Sequence, residues 1–365
     1  MLSKIWTPHD YQRLAGAFAL SKPGAALFLD PGLGKTSITL SALNGLFRCG
    51  LLRRALVVAP LRVCYSVWPA EVAKWSQFCG LRVSIIHGTP EERLAAMLCD
   101  ADIYLINPAN VGWLAHKSRR RFRDFEMLVV DESTKFKSPK VKTKTEDPET
   151  GKAGLTRWAS LRSMLPEFSR RLILTGTPMP HTMIDLWTQI FICDNGERLG
   201  KTISAYREKY FTPGPNYRSW HLKPFAQEEI QERIADIALV MDCRDLLEMP
   251  DLMFNDIVVE LPADVKRSYK KLERELLFET GTIEELARNA VSKYNMARQI
   301  ANGGLYVDRN NPEGRKKACV HDAKIDAIED LSEELNGKPL MVVYHFEHEL
   351  DRLRKRFGNV PHIGG

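Results

Sequence analysis

ALFLDPGLGKTSITLSAL, residues 26–43, decides the fold. An apolar run breaks at Pro31-Gly32, and a helix-like spacing of apolar residues resumes after Gly34-Lys35-Thr36. Strand, glycine turn and helix are the setting in which backbone N–H groups at a helix N-terminus hold phosphate. Gly32 and Gly34 supply the unusual backbone angles and allow close approach. Lys35 reaches the terminal phosphates as a point charge, and the Thr36 hydroxyl suits Mg²⁺. The phosphate-binding turn is therefore expected at Gly32, Leu33, Gly34, Lys35, Thr36 and Ser37. The strict pattern GxxxxGK[ST] asks for glycine where this chain has Leu29. A plain glycine turn between strand and helix is the competing reading of this stretch alone.

The 365 residues favour two domains. With 44% apolar and 27% charged residues the composition is that of a globular protein. No stretch approaches the roughly 20 apolar residues of a membrane span, and the N-terminus lacks the apolar core of a secretory signal. Seven cysteines stand singly, with no CxxC pair, which argues against a disulfide framework or a structural zinc site and suits a reducing cytoplasm. A net charge of +6 is compatible with nucleic acid without demanding it.

Along the first half, strand-like and helix-like segments alternate. ALVVAP (55–60), LRVSIIHG (81–88), DIYLINP (102–108), FEMLVVDES (125–133) and SRRLILTGTP (169–178) are apolar strands, which implies a parallel sheet covered by helices. From about residue 181 to 248 the texture becomes a helical extension rich in large aromatics. A fresh strand is expected at 254–262, a helical insertion at about 264–302 with a capping box at Thr282 and Glu285, and a helix–strand–helix unit with its strand at 338–346. These boundaries place one domain at 1–248 and the opening of a second α/β domain at 249–365.

The acidic pair Asp131-Glu132 closes an apolar strand, at the sheet edge where open α/β folds bind ligands. Paired with the phosphate loop, Asp131 is expected to hold Mg²⁺ and Glu132 to orient or deprotonate the attacking water. LTGTP (174–178) adds the hydroxyls of Thr175 and Thr177 beside a turn rigidified by Pro178.

The order DYQRLA, LDPGLGKT, VVAPLRVCYSVWPAEVAKW, DIYLINP, VVDES, LTGTP resembles the superfamily-two helicases, and more narrowly the Snf-type double-stranded DNA translocases, which include many phage proteins. DLWTQIFICDNG (185–196), YNMARQIANGGLYVD (294–308) and the segment 323–353 extend the resemblance over nearly the whole chain. It implies a RecA-like parallel sheet with helices on both faces, a helical insertion and the start of a second RecA-like lobe. It implies ATP and Mg²⁺ as cofactors, with Gln12 at the adenine edge, Lys35, Asp131 and Glu132 catalytic, Thr36 and Asp131 on the metal, and Thr175 and Thr177 coupling the ATP site to DNA. Two departures are internal: Leu29 replaces the first loop glycine, and DEST replaces DEAH, so Thr134 stands where the family has histidine. The family's fifth and sixth motifs, with their arginine fingers, have no counterpart up to residue 365. A chain of this extent is expected to bind ATP and hydrolyse it slowly.

Two basic clusters could track a duplex backbone: Lys117, Arg119, Arg120, Arg121 and Arg123 before the acidic strand, and Lys135, Lys137, Lys140, Lys142 and Lys144 after it. A solvated charged face fits each equally well. The polar segment 146–154 reads as a loop insertion near the cleft. The leading expectation is an ATP-driven motor on double-stranded DNA, working in bacterial or phage-infected cytoplasm. A nucleotide-gated binding module acting with a partner protein or nuclease is the alternative from another class.

Overall fold

A computed structural model describes residues 4–117, 124–146, 153–179, 182–215, 219–247, 253–277, 283–306, 317–358 and 360–363. Residue contacts divide the chain into two units, Met1–Pro250 and Asp251–Gly365.

In the first unit the elements run α1 (Asp10–Ser21), β1 (Gly24–Leu29), α2 (Lys35–Arg48), β2 (Ala55–Val58), α3 (Leu61–Ser66), α4 (Trp68–Lys74), β3 (Val83–Ile86), α5 (Pro90–Leu98), β4 (Ile103–Ile106), α6 (Val111–Lys117) and β5 (Met127–Asp131). There follow β6 (Lys142–Glu146), β7 (Ala153–Leu155), α7 (Arg157–Met164), β8 (Arg170–Thr175), α8 (Leu186–Asp194), α9 (Ile203–Tyr210), β9 (Phe211–Pro213), β10 (Trp220–Leu222), α10 (Ala226–Ile234), β11 (Ala238–Met241) and α11 (Cys243–Leu246). Seven strands pair in parallel in the order β11-β1-β8-β5-β2-β4-β3. This is the RecA-like sheet with helices on both faces that the sequence implies.

Strand parity sorts the core, because successive side chains on a strand point to opposite faces. Ala26 and Phe28 of β1, Leu128 and Val130 of β5 and Ile173 of β8 join one buried cluster, with Trp158, Trp187 and Phe191. Ala25, Leu27 and Leu29, Met127 and Val129, and Leu172 and Leu174 join the other, with Ile38 and Leu43 of α2 and Trp68 of α4. On the first face Trp158, Trp187 and Phe191 form an aromatic triangle with ring centroids 5.2–5.8 Å apart. Two of its three contacts are edge-to-face, which adds to what burial alone supplies.

Residues 238–241, expected within the helical extension of about 181–248, form β11 instead, which pairs with β1 over Ala26–Leu29. The helix ends at Ile234, and the apolar run ALVM, which contains a single β-branched residue, becomes a strand because it pairs with β1, not because of its propensity. Of the polar segment 146–154, Glu146, Ala153 and Gly154 belong to an antiparallel hairpin, β6 with β7, and residues 147–152 lie outside the described residues.

The second unit holds α12 (Ala263–Leu277), α13 (Ile283–Ala301), a hairpin of β12 (Gly304–Tyr306) and β13 (Lys317–Cys319), α14 (Ala323–Glu334) and α15 (Glu347–Phe357). Arg352 of α15 ties it together, donating to Asp322 at 2.9 Å and to the carbonyls of Asn302 and His321 at 2.7 Å. Neither segment expected as a strand is one: 254–262 and 338–346 carry no regular secondary structure and join no ladder among the described residues. A strand needs a hydrogen-bonding neighbour, and apolar alternation alone does not supply it. Phe254, Val258, Met341 and Val343 are accordingly more than four-fifths exposed. Leu340, Val342 and Tyr344 line an apolar cavity of about 610 Å³ with Leu350 and Leu353 of α15. The capping box at Thr282 lies outside the described residues.

Gly24 opens β1 against α8, where a Cβ would lie 2.1 Å from the carbonyl oxygen of Cys193. That neighbour is backbone and cannot rotate away. Gly24→Ala is expected to cost about 1–3 kcal/mol by overpacking, read as a lower urea midpoint with an unchanged slope.

Candidate active site

The phosphate loop has the backbone the sequence calls for. Gly32 and Gly34 adopt φ of 90° and 81°, in the left-handed region, and Gly34 is the N-cap of α2. Side-chain space at Gly34 is also closed, since a Cβ would lie 2.6 Å from the Gln12 amide nitrogen. Gln12 is buried and doubly engaged. Its Nε2 donates to the Leu33 carbonyl at 3.1 Å, and its Oε1 accepts from the His9 N–H at 3.0 Å. Its first measurable role is thus to brace the loop. Leu33 is fully buried beneath the turn, and Leu29, in place of the usual glycine, is a fully buried residue of β1.

Lys35 donates from Nζ to the carbonyls of Leu29 at 2.7 Å and Asp30 at 3.2 Å. Burial pushes its pKa down, against the opposing charges of Glu132, Asp131 and Asp30. Asp131 ends β5, and parity with Met127 and Val129 turns it toward the α2 side of the sheet. It is 8% exposed. Burial raises its pKa, opposed by a hydrogen bond from the Trp68 indole, whose Nε1 lies 3.0 Å from Oδ2. For both groups desolvation outweighs mutual attraction, as expected for charges held in a poorly hydrated pocket. Glu132 follows with φ 57° and ψ 58°, a left-handed conformation costly for any residue but glycine, asparagine or aspartate.

Ser37 turns its hydroxyl to Glu71 of α4 at 2.8 Å, and Glu71 also accepts from Trp75 Nε1 at 2.7 Å. Thr36 is the second residue of α2, half-buried beside Lys35. Thr175 is fully buried, and its Oγ1 accepts the Thr177 N–H at 3.2 Å, closing the LTGTP turn on itself. Between them Gly176 touches the phosphate loop, where a Cβ would lie 2.9 Å from Pro31. The acidic and LTGTP loops are joined by a side chain that sequence reading missed. Gln189 of α8 accepts from Ser133 Oγ at 2.6 Å and donates to the carbonyls of Pro178 at 2.5 Å and Asp185 at 2.9 Å. Trp68, Glu71 and Gly176 were missed as well. Glu71, flanked at helical spacing by two tryptophans, was the one legible signal among them.

The donor set fits a magnesium nucleotide: a glycine turn at a helix N-terminus, a buried lysine, a threonine hydroxyl and a desolvated carboxylate. Of the basic residues, Lys135 and Lys140 are exposed and Lys137 half-buried after the acidic strand, with Lys142 exposed in β6. Arg119, Arg120, Arg121 and Arg123 lie outside the described residues, as do the side chains of Lys117 and Lys144.

The SNF2-related domain family matches residues 11–213. Putative protein p41 of Acyrthosiphon pisum secondary endosymbiont phage 1 is 35% identical over 361 residues, covering 97% of this chain and 75% of that protein. DNA excision repair protein ERCC-6-like of Bos taurus is 25% identical over 321 residues, covering 74% of this chain and 24% of that protein. Transcription regulatory protein SNF2 of Saccharomyces cerevisiae is 24% identical over 352 residues, covering 91% of this chain and 18% of that protein. Among solved structures, the Sulfolobus solfataricus SWI2/SNF2 ATPase core domain aligns with a TM-score of 0.47 at 19% identity, covering 98% of this chain and 76% of that one. The chain belongs to the SNF2-related family of helicase-like, nucleotide-binding ATPases. It spans a quarter or less of the two cellular proteins.

A carboxyl whose pKa is raised on folding favours the folded state while protonated, and that advantage is lost as pH rises through its folded pKa. At neutral pH the Asp131 charge therefore costs stability. Asp131→Asn, which keeps an acceptor for Trp68, is expected to raise the Tm in metal-free buffer at pH 7. The gain should shrink as pH falls into the carboxylate range; scanning calorimetry across pH measures it.

Proposed function

We propose that the chain is an ATP-driven motor on double-stranded DNA, coupling hydrolysis of the nucleotide to movement along the duplex. One observation carries this reading. Lys35, Asp131 and Glu132 meet at a single sheet edge, and the LTGTP turn packs on the same loop through Gly176. The names of the relatives in excision repair and transcription support DNA as the partner.

In this reading the phosphates lie against the N–H groups of residues 32–37, and Lys35 exchanges its two carbonyl acceptors for phosphate oxygens. Thr36 and Asp131 would hold Mg²⁺, which would supply charge neutralisation for the leaving and transferred groups. Glu132 holds the attacking water and takes its proton. Gln12 lies at the base edge while bracing Leu33, and Thr175 and Thr177 report the state of the site toward DNA. The second unit is read as the opening of a second motor lobe, with α12 and α13 as its helical insertion. Turnover by these 365 residues is expected to be slow, because the resemblance assigns the arginine-finger role to none of them. Action in the cytoplasm of an infected bacterium fits the phage source of the p41 relative.

Steady-state ATP hydrolysis with and without duplex DNA tests the reading. Stimulation by duplex is expected, with loss of activity in Lys35→Ala. Glu132→Gln should keep nucleotide binding while the rate falls by about 10²–10⁴. Equal rates with and without duplex would overturn the motor and favour a nucleotide-gated binding module. Phosphate contacts by Lys135, Lys137 and Lys140 predict that replacing all three with alanine lowers the salt slope of duplex affinity by about 1 per lysine. An unchanged slope in fluorescence anisotropy titrations removes these residues from the DNA path.

A further inference from the structure

Asp131 ends a strand, but its carboxylate plane is not fixed by the strand. The terminal torsion of an aspartate is broad and roughly two-fold, so a side chain with no partner samples many orientations of its lone pairs. Here one partner is a rigid aromatic. Trp68 is fully buried in the core between α2, α4 and the sheet, and its Nε1 donates to Asp131 Oδ2 at 3.0 Å. An indole N–H is a donor only and usually finds an acceptor when buried; Trp158, whose buried Nε1 has none, shows that the pairing is not automatic. Other tryptophans find theirs elsewhere: Trp187 donates to the Gly200 carbonyl and Trp75 to Glu71. Trp68 alone among these spends its donor on the acidic strand.

The same helix reaches the other half of the site. Glu71, one turn along α4, accepts from Ser37 next to Thr36. Residues three apart on a helix share a face, so α4 presents Trp68 to β5 and Glu71 to α2 together. The geometry points to Trp68 as a positioning residue for Asp131: its N–H locks Oδ2 and fixes the direction in which the carboxylate offers its remaining lone pairs to nucleotide-bound Mg²⁺. This rests on the magnesium-nucleotide reading of the site. Hydrogen-bond partners of metal-ligating groups orient those ligands, and losing one typically costs 10–100-fold in metal affinity or activity.

The test is an equilibrium titration with a fluorescent ATP analogue, in EDTA and across a Mg²⁺ series, so that binding rather than turnover is read. Two variants are compared with the unaltered chain. Trp68→Phe removes the N–H and some volume. Benzothienylalanine at position 68 keeps the indole shape and places sulfur where the N–H was, so packing is preserved even where the phenylalanine variant folds poorly. Both are expected to keep the affinity seen in EDTA, while half-saturating Mg²⁺ rises about tenfold or more. A purely structural tryptophan would lower the Tm and weaken binding equally with and without metal. Wild-type Mg²⁺ half-saturation in the benzothienylalanine variant overturns the inference and leaves the nucleotide site standing. If the unaltered chain shows no Mg²⁺-dependent binding, or Lys35→Ala leaves binding unchanged, the nucleotide reading itself falls, and the inference with it.

Discussion

The pairing of β8 with both β1 and β5 is the constraint on which the site depends. In this register Thr175 lies beside Phe28, and Leu174 beside Asp131. The chain therefore leaves β1, β5 and β8 at one level, and three turns distant in sequence share one edge. The glycine turn, the acidic pair and LTGTP need no long-range side chain to meet. Backbone hydrogen bonds bring them together, and Gly176 closes the remaining distance to Pro31. An extra residue in any of the three strands would turn that strand's last side chain to the opposite face.

Parity then determines which layer of helices each loop addresses. Asp131 faces the layer containing α2 and α4, so its neighbours are Lys35 and Trp68. Thr175, in step with Ile173, faces the aromatic triangle, on the same side as α8 and Gln189. The sheet thus puts the Lys35–Asp131 pair on the side of α2 and α4 and the aromatic triangle of Trp158, Trp187 and Phe191 on the other. Gln189 joins the two turns from the second side, with its amide oxygen and nitrogen both engaged. Buried amides satisfied in this way rigidify what they touch, since an unpaired one is costly.

Much of this was legible in the sequence because it is local. A glycine before lysine, an apolar strand ending in two carboxylates, and a proline after LTGT each announce themselves within a few residues. What escaped is non-local. Trp68 reads as core because a tryptophan in an amphipathic segment usually is core, and here it is core and hydrogen-bond donor at once. Gln189 sits in an apolar helix where nothing in the sequence says that Ser133, 56 residues away, needs an acceptor. The run at 238–241 is too short to separate from the helix before it, and only pairing with β1 makes it a strand. The apolar runs at 254–262 and 338–346 misled in the opposite direction: alternation marks a segment fit for a sheet, and a sheet also requires a neighbour.

The left-handed backbone of Glu132 carries a consequence for how this protein tolerates change. Geometry at that position favours glycine or asparagine, whereas the proton-transfer role proposed for Glu132 requires a carboxylate. Under that proposal a selection for thermal stability alone would reward replacements that silence the site, and stability and turnover would be opposed at a single residue. Sequence drift in copies of the gene released from function should leave its mark at residue 132 early, before the surrounding core is disturbed.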